Sequence, residues 1–264
     1  MFESFQYQLQ KERFQPILDS QADLVIVDID DSRFTPAQVA EIAAKKTVLS
    51  YLSVGQASNV RWYWDKSWVD GNGDPVAGRA PGWLGPRNAH WAGAYEVRYW
   101  EPEWLAILQQ GIGRILDAGY DGVVYDAVDA FGHWGTVGGA PDLMKQLVMQ
   151  LMDYGRSRKP DYVGIPNSGY PLVVDEDYLA SISAQLAESV FFKDGMPRPE
   201  GESDWAIKYL NRVTEAGKPV LLIEYLAAQA PRQAACAKAR AWGYVPYMAR
   251  QQLDTLEPTW QSYA

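Results

Sequence analysis

The sequence predicts an α/β fold, a (β/α)8 or TIM barrel, because short apolar runs alternate with helix-like segments through nearly the whole chain. The 264 residues also match the ~250 that such a barrel typically needs. Repeated βα units demand parallel strands with helical crossovers, and closure at eight strands makes a barrel. We expect one domain over residues 1–264. An open doubly wound sheet is the alternative, but its G-x-G-x-x-G or Gly-Lys-Ser/Thr phosphate loop is missing from the sequence.

The eight predicted strands are short and rich in β-branched or aromatic residues. They cover residues 5–9, 24–30, 47–54, 122–126, 162–165, 184–188, 220–224 and 244–248. A helix after the second strand opens at Thr35 and Pro36, which suit an N-cap and a first helical turn. Further helices are predicted over residues 102–117, 141–154, 175–182, 205–216 and 233–241.

Residues 55–100 interrupt this rhythm and are predicted to form a long loop after the third strand, since they show no steady apolar period. A loop of that length in a compact domain is usually functional. Flat aromatic faces suit the apolar faces of sugar rings and attract cations. The alternative is a small hydrophobic core beneath the loop. Its aromatic residues are Trp62, Tyr63, Trp64, Trp68, Trp83, Trp91, Tyr95, Tyr99 and Trp100.

The net charge of the chain indicates which classes of ligand it can bind. A formal net charge of -9 argues against nucleic acid, because a phosphate backbone needs a face rich in Lys and Arg. An acidic surface suits a cationic ligand, although many proteins are acidic for solubility alone. The chain contains no run of about 18 apolar residues, so we expect no membrane span.

We expect neither a metal ion nor another cofactor. Cys236 is the only cysteine, so no intrachain disulfide can form, and its small-residue helical surroundings indicate a buried, inert thiol. The only two histidines, His90 and His133, are too few for a His-rich zinc site.

Polar residues at the carboxyl ends of the strands are the candidate site residues, because (β/α)8 enzymes place their active sites there. Alternation of side chains along a strand predicts that Asp126, Glu188 and Glu224 converge at one barrel mouth. The alternative for each acid is to cap the following helix or to pair with an arginine. The full set is Asp28, Asp30, Asp126, Asn167, Glu188 and Glu224.

Two of these carboxylates are arranged as acid catalysis with a second carboxylate would require. Glycoside hydrolysis uses one protonated and one ionised carboxyl group, and Asp126 and Glu188 lie on predicted strands four and six, with one strand between them. Their Cα atoms should then lie roughly 9–10 Å apart. The longer side chain of Glu188 closes part of that gap, so we predict a retaining mechanism with Asp126 as nucleophile and Glu188 as acid/base.

Several runs resemble the endo-α-1,4-polygalactosaminidase family of glycoside hydrolases, family 114. They are Tyr7-Gln8-Leu9, Asp28-Ile29-Asp30, Tyr51-Leu52-Ser53-Val54-Gly55, the run from Gly119 to Asp129, Ala187-Glu188-Ser189-Val190-Phe191 and Ile223-Glu224-Tyr225. The most specific parts are the Asp-Gly-x-x-x-Asp-x-x-Asp pattern that begins at Asp121 and the Glu after the sixth strand. The resemblance spans nearly the whole chain.

The resemblance implies a (β/α)8 barrel that cuts α-1,4-linked galactosamine polymers of biofilm exopolysaccharides, with Asp126 and Glu188 as the catalytic pair. Deacetylated galactosamine is cationic, which gives the acidic net charge a meaning. One departure is Gln56, where a Glu is expected after the Ser-Val-Gly run. The residues expected to bind substrate are Gln8, Asp28, Asp30, Tyr51, Asn167, Glu224 and Tyr225.

The sequence also gives expectations for cellular location and assembly. The first residues, Met1-Phe2-Glu3-Ser4, lack the basic and apolar regions of a signal peptide. We expect an extracellular or periplasmic protein, with any export signal absent from this sequence, while a cytoplasmic location stays open. We also expect a monomer.

Two other functions stay open. A chitinase-like barrel carries Asp-Gly-x-Asp-x-Asp-x-Glu on its fourth strand, but Val124 and Val128 stand where the second Asp and the Glu belong. A catalytically silent, sugar-binding barrel is the non-enzyme alternative.

Overall fold

A computed structural model describes residues 2–199 and 201–263. Eight parallel strands form its centre, and they pair in two groups, the first five in chain order and then the last three. The strands are β1 Phe5–Tyr7, β2 Leu24–Val27, β3 Thr47–Ser53, β4 Gly122–Asp126, β5 Val163–Pro166, β6 Gln185–Glu188, β7 Val220–Tyr225 and β8 Val245–Ala249.

The two groups meet on both sides. Asn167, which directly follows β5, forms a parallel bridge with Leu186 of β6. On the other side the ring of Phe5 in β1 packs on Tyr247 in β8, with ring centroids 5.5 Å apart.

All eight strands contribute to one buried apolar interior, whose buried residues lie on the strands or directly before them. Parallel strands that enclose such an interior form a barrel, so the predicted (β/α)8 fold class is confirmed. The interior residues are Phe5, Tyr7, Leu24, Ile26, Leu49, Val124, Ile165, Ala184, Leu186, Leu221, Ile223, Val245, Tyr247 and Ala249.

A second, larger core lies between the strands and the surrounding helices. Helix α3 shows why such a helix forms where it does: Thr35 and Gln38 make a reciprocal capping box, and Val39 and Ile42 are buried. The helices are α1 Phe14–Asp19, α2 Ile29–Ser32, α3 Pro36–Ala43, α4 Pro102–Asp117, α5 Ala140–Arg158, α6 Glu176–Ser181, α7 Asp204–Glu215 and α8 Gln229–Ala241. Single 3-10 turns lie at Lys66–Trp68, Val128–Gly132, Tyr170–Val174 and Trp260–Tyr263.

Some element boundaries differ from the prediction. The second strand ends at Val27 rather than at residue 30, because the Asp28 side chain accepts a hydrogen bond from the Asp30 amide and starts the short helix α2. Helix α1 was not expected. Helices α5 and α8 are longer than predicted.

Residues 55–100 are a folded excursion rather than a loop without secondary structure. Three short antiparallel strands, Gln56–Ser58, Leu84–Arg87 and Ala94–Val97, form a small sheet with the last of them in the middle. Residues 192–197 form a further small hairpin after β6.

Most aromatic residues of the excursion form a small core. Trp83 lies at its centre, in contact with Tyr63, Trp68 and Trp104 of α4. Trp104 also donates its indole N–H to the Val54 carbonyl at 2.8 Å, which fixes α4 against the end of β3. Most of these rings therefore form a small hydrophobic core, which was the alternative to sugar binding. An insertion of this length needs a buried interior of its own to stay folded.

The single cysteine, Cys236 in α8, is buried, as expected. In residues 2–199 and 201–263, the helices are all too short or too polar to cross a lipid bilayer.

Candidate active site

A cavity of about 430 Å³ opens at the carboxyl end of the barrel. Its floor consists of residues from the barrel strands, and one wall comes from the excursion and α4. The floor residues are Tyr7, Tyr51, Asp126, Glu188 and Tyr225. The wall includes Gln56, Ser58, Arg61, Trp62, Trp91 and Arg114, and Asp30 of α2 also lines the cavity.

Asp126 and Glu188 reach this cavity because of their positions on the strands. Asp126 is two residues after Val124, and Glu188 is two residues after Leu186, and both apolar residues point into the barrel interior. Each acid is the last residue of its strand, where the barrel opens. The predicted convergence of these two carboxylates occurs.

A hydrogen-bond network fixes both carboxylates. The Asn167 amide nitrogen, Nδ2, donates to Asp126 Oδ1 at 2.8 Å and to Glu188 Oε1 at 2.7 Å. The Tyr51 hydroxyl donates to Asp126 Oδ2 at 2.7 Å, and the Tyr225 hydroxyl donates to Glu188 Oε2 at 2.8 Å. Every carboxylate oxygen of the pair therefore has a neutral donor, and within residues 2–199 and 201–263 no cation forms an ion pair with either group.

The order of the strands explains this bridge. Strand β5 lies beside β4, and Asn167 pairs with β6, so a residue at the end of β5 lies between the two acids. Asn167 is 2% exposed, so its amide is held by its surroundings.

The surroundings of Glu188 change the pKa of its carboxyl group. Burial, and then the negative charge of Asp126, raise the pKa of Glu188 from 4.5 to about 7, although the hydrogen bonds from Tyr225 and Asn167 act in the opposite direction. Burial also raises the pKa of Tyr51 and of Tyr225 far above its usual value, so both stay neutral donors. Glu188 is therefore the group that can hold a proton near neutral pH.

Asp28 and Asp30 belong to a charge cluster on the cavity wall. Both oxygens of Asp28 accept from the Arg61 guanidinium, at 2.8 and 2.6 Å. Asp30 accepts from Arg61 at 3.1 Å and from Arg114 at 3.0 Å. Two carboxylates thus face two guanidinium groups, and the cluster adds no net charge to the cavity. Asp30 lines the cavity, whereas Asp28 lies behind Arg61, where it caps α2.

Besides Asp28 and the bridging Asn167, two more predicted site residues, Gln8 and Glu224, do not line the cavity. Gln8 follows β1, and its amide donates to the Gln10 carbonyl at 2.9 Å, while Tyr7 faces the cavity instead. Glu224 is fully buried and accepts from the amides of Phe191 and Phe192, at 2.7 and 3.2 Å. The expectation that Glu224 converges with the other two acids is wrong, because its strand turns this side chain away from the interior.

Sequence reasoning missed Tyr7 and Arg61. Tyr7 carries a usable signal, since it is two residues after Phe5 and therefore on the same face of β1. Arg61 comes from the excursion and has no local signal. Gln56, the departure from the family pattern, does line the cavity. In the part of the chain that the structure describes, no group of three or more His, Cys, Asp or Glu side chains is arranged to hold a metal ion.

Comparisons with known proteins agree with this geometry. Solved structures with a similar fold include the glycoside hydrolase domain of PelA from Pseudomonas aeruginosa, with a TM-score of 0.75, 21% identity and 97% of each chain covered. They also include Ega3 from Aspergillus fumigatus in complex with galactosamine, with a TM-score of 0.75, 17% identity, and 97% of this chain and 94% of that one covered. At these identities the likeness shows the fold.

The sequence comparisons show the family. A Deinococcus radiodurans protein is 32% identical over 248 residues, which cover 92% of this chain and 78% of that protein. A Thermotoga maritima protein is 29% identical over an alignment of 273 residues with gaps included, which covers 96% of this chain and 82% of that one. The model of glycoside-hydrolase family GH114 matches residues 2–264. The chain therefore belongs to family GH114, as its sequence runs predicted, and is a glycoside hydrolase.

Proposed function

We propose that this enzyme cleaves an α-1,4-linked, galactosamine-containing exopolysaccharide, with Asp126 as nucleophile and Glu188 as acid/base. The observation that carries the proposal is the bridge of Asn167 between the two carboxylates. It holds two carboxyl groups side by side at the mouth of a barrel, in a cavity large enough for sugar rings.

The bridge supports a retaining mechanism. Because one nitrogen donates to both acids at 2.8 and 2.7 Å, their two bonded oxygens lie no more than about 5.5 Å apart. Retaining enzymes hold their carboxyl groups about 5–5.5 Å apart, whereas inverting enzymes need about 6.5–9.5 Å to admit a water molecule.

The electrostatics support the division of roles. Protonated Glu188 gives its proton to the leaving glycosidic oxygen while an oxygen of Asp126 bonds to the anomeric carbon and the C–O bond to the leaving sugar breaks. Ionised Glu188 then takes a proton from water, whose oxygen displaces Asp126 and releases the sugar. The raised pKa of Glu188 suits the first step. The Tyr51 hydroxyl donates to Asp126 Oδ2 at 2.7 Å and so orients the proposed nucleophile.

A galactosamine polymer fits the charge of the site. The floor of the cavity holds two acids that form no ion pair with any cation in the described part of the chain, and the full sequence has a formal net charge of -9. The paired Asp28 and Asp30 add little to this attraction. Ega3, which shares the fold, has been crystallised with galactosamine. An exopolysaccharide substrate implies that the enzyme acts outside the cytoplasm.

The test is release of reducing ends from a partly deacetylated α-1,4-galactosamine polymer, with a fully acetylated polymer and chitosan as comparison substrates. Wild type should cleave the first polymer fastest, and Asp126→Asn should lose most of the rate while staying folded. Binding without release by wild type would indicate a silent sugar-binding barrel. Faster cleavage of chitosan would contradict the proposed substrate.

A further inference from the structure

The excursion carries one large aromatic side chain that its small core does not use. Trp91 is 61% exposed, whereas Trp83 at the centre of the small core is only 1% exposed. Trp91 lines the catalytic cavity. Among the described residues, neither another aromatic ring nor a cation stacks on it, in contrast to Trp62, whose ring lies 4.9 Å from the Arg114 guanidinium.

Trp91 is held in place rather than left on a loose loop. The Asn88 side-chain oxygen accepts from the backbone amides of His90 and Trp91, at 2.8 and 2.9 Å. The Trp91 carbonyl accepts from Ala94, and the Gly93 carbonyl accepts from Asn59 at 2.9 Å. An exposed ring on a backbone tied at both ends loses little entropy when it meets a ligand.

The tip is also fixed against the neighbouring strand. Asn88 donates through Nδ2 to Glu96 Oε1 at 2.7 Å, so the same side chain ties the tip to its own sheet. Gly93 has a φ of +82°, and a Cβ there would lie 2.6 Å from Asn59 Oδ1. The chain therefore turns closely against Asn59 at this point, and only glycine fits.

The excursion sheet leads from the catalytic acids to this ring. Gln56 lines the cavity directly after β3, and the strand Gln56–Ser58 runs beside Ala94–Val97, with Ser58 opposite Ala94. Three residue steps from Gln56 to Asn59, at about 3.3 Å each, place the tip roughly 10 Å from Gln56 along the excursion sheet. A sugar unit that contacts Trp91 would then be a different unit from the one that lies between the two acids.

The geometry points to Trp91 as a stacking platform for a distant sugar unit of the polymer, and hence as a residue that selects long chains over short ones. This inference rests on the proposed function, because it assumes a carbohydrate polymer in the cavity. A rigid, exposed indole offers the apolar face of a sugar ring a large contact. Gln56 and Ser58 line the path between the acids and Trp91 and offer hydrogen bonds to hydroxyl groups.

The test compares Trp91→Ala, Trp91→Phe and Trp242→Ala. Trp242 is a matched control because it is 42% exposed and follows helix α8, at the opposite end of the barrel. The measured quantity is the ratio of kcat/KM for a long galactosamine chain to that for a short oligomer. Trp91→Ala should lower this ratio about 5- to 10-fold, Trp91→Phe should lower it less, and Trp242→Ala should leave it unchanged.

Binding separates failure of this inference from failure of the proposed function. The long chain is titrated against Glu188→Gln that also carries Trp91→Ala or Trp242→Ala. Weaker binding in the double variant that carries Trp91→Ala supports the platform, even if wild type cleaves nothing. The absence of cleavage by wild type would overturn the proposed function and not the platform. Equal ratios and equal binding for the Trp91 and Trp242 variants would overturn the platform.

Discussion

Glu188 and Glu224 lie near the carboxyl ends of neighbouring strands, and they differ in what surrounds them. Burial raises the pKa of each carboxyl to about 7, and each accepts hydrogen bonds at both oxygens. The donors to Glu188 are the side chains of Asn167 and Tyr225, and its carboxyl faces the cavity. The donors to Glu224 are backbone amides on the outer side of the barrel. A raised pKa alone therefore does not identify the catalytic acid.

The strand register explains the difference. Glu188 pairs with Ile223, whose side chain fills the barrel interior, so Glu224 must point the other way. Its carboxylate instead holds the segment 191–192, which follows Glu188 in the chain. Glu224 supports the fold around the site, whereas Glu188 belongs to the site.

The largest expected effect separates these two residues by activity. Glu188→Gln removes the proton donor, and kcat/KM should fall by about 10²- to 10⁴-fold. Glu224→Gln keeps one acceptor oxygen and leaves the cavity unchanged, so its kcat/KM should stay within a few-fold of wild type. Both are measured well below the melting temperature. A loss in Glu224→Gln as large as in Glu188→Gln would break the comparison.

Stability should show the opposite order. Glu224→Ala leaves two buried amides without an acceptor, each at a cost of about 1–3 kcal/mol. We expect the free energy of unfolding to fall by about 2–5 kcal/mol in urea titrations. Glu188→Ala leaves side-chain donors at an open cavity, where water can replace the acceptor, and should cost less. A Glu224→Ala variant as stable as wild type would contradict a supporting role.

The pH dependence of stability follows from the same carboxyl group. The pKa of Glu224 in the folded chain, about 7, lies above its ordinary value of 4.5, so its contribution is fully present below about pH 4.5 and is lost as the pH rises through 7. Wild type should therefore lose stability between about pH 5 and pH 8. Glu224→Gln cannot ionise and should show a smaller slope. Equal slopes in urea titrations at the two pH values would contradict this assignment.

A smaller effect tests the hydrogen bond to Glu188. Its raised pKa predicts that kcat/KM falls as the pH rises above about 7, because the first step needs the proton. The Tyr225 hydroxyl stabilises the ionised form, so Tyr225→Phe should move this fall to higher pH. Tyr51→Phe is the matched control, because Tyr51 bonds to Asp126 instead. A shift to lower pH in Tyr225→Phe would rule out this role.

The convergence of Asp126 and Glu188, the proposed catalytic pair, could be predicted from the sequence. The active sites of (β/α)8 enzymes lie at the carboxyl ends of the strands, and each of these acids is the last residue of its strand. Glu224 was not predictable in the same way. Parallel strands are buried on both faces, so β7 is apolar on both sides and alternation alone cannot say which side faces the interior.

The cluster of two aspartates and two arginines on the cavity wall could not be predicted from local sequence patterns. Arg61 pairs with Asp28 across 33 positions of the chain, and Arg114 reaches Asp30 across 84. These contacts depend on how the excursion and α4 pack on the barrel, and nothing in the sequence near Asp28 or Asp30 indicates it. Alternation along β1 would have favoured Tyr7 over Gln8, since Tyr7 shares its face with Phe5.

The most direct test of the account is the anomeric configuration of the first product, followed by proton NMR during early cleavage of the α-1,4-galactosamine polymer. The two carboxylate oxygens bridged by one amide nitrogen lie no more than about 5.5 Å apart, which matches the spacing of retaining enzymes, so cleavage should proceed through a covalent bond to Asp126. The account predicts that the new reducing end appears first as the α anomer and only later equilibrates. Initial appearance of the β anomer would show inversion and contradict the assignment of Asp126 as nucleophile.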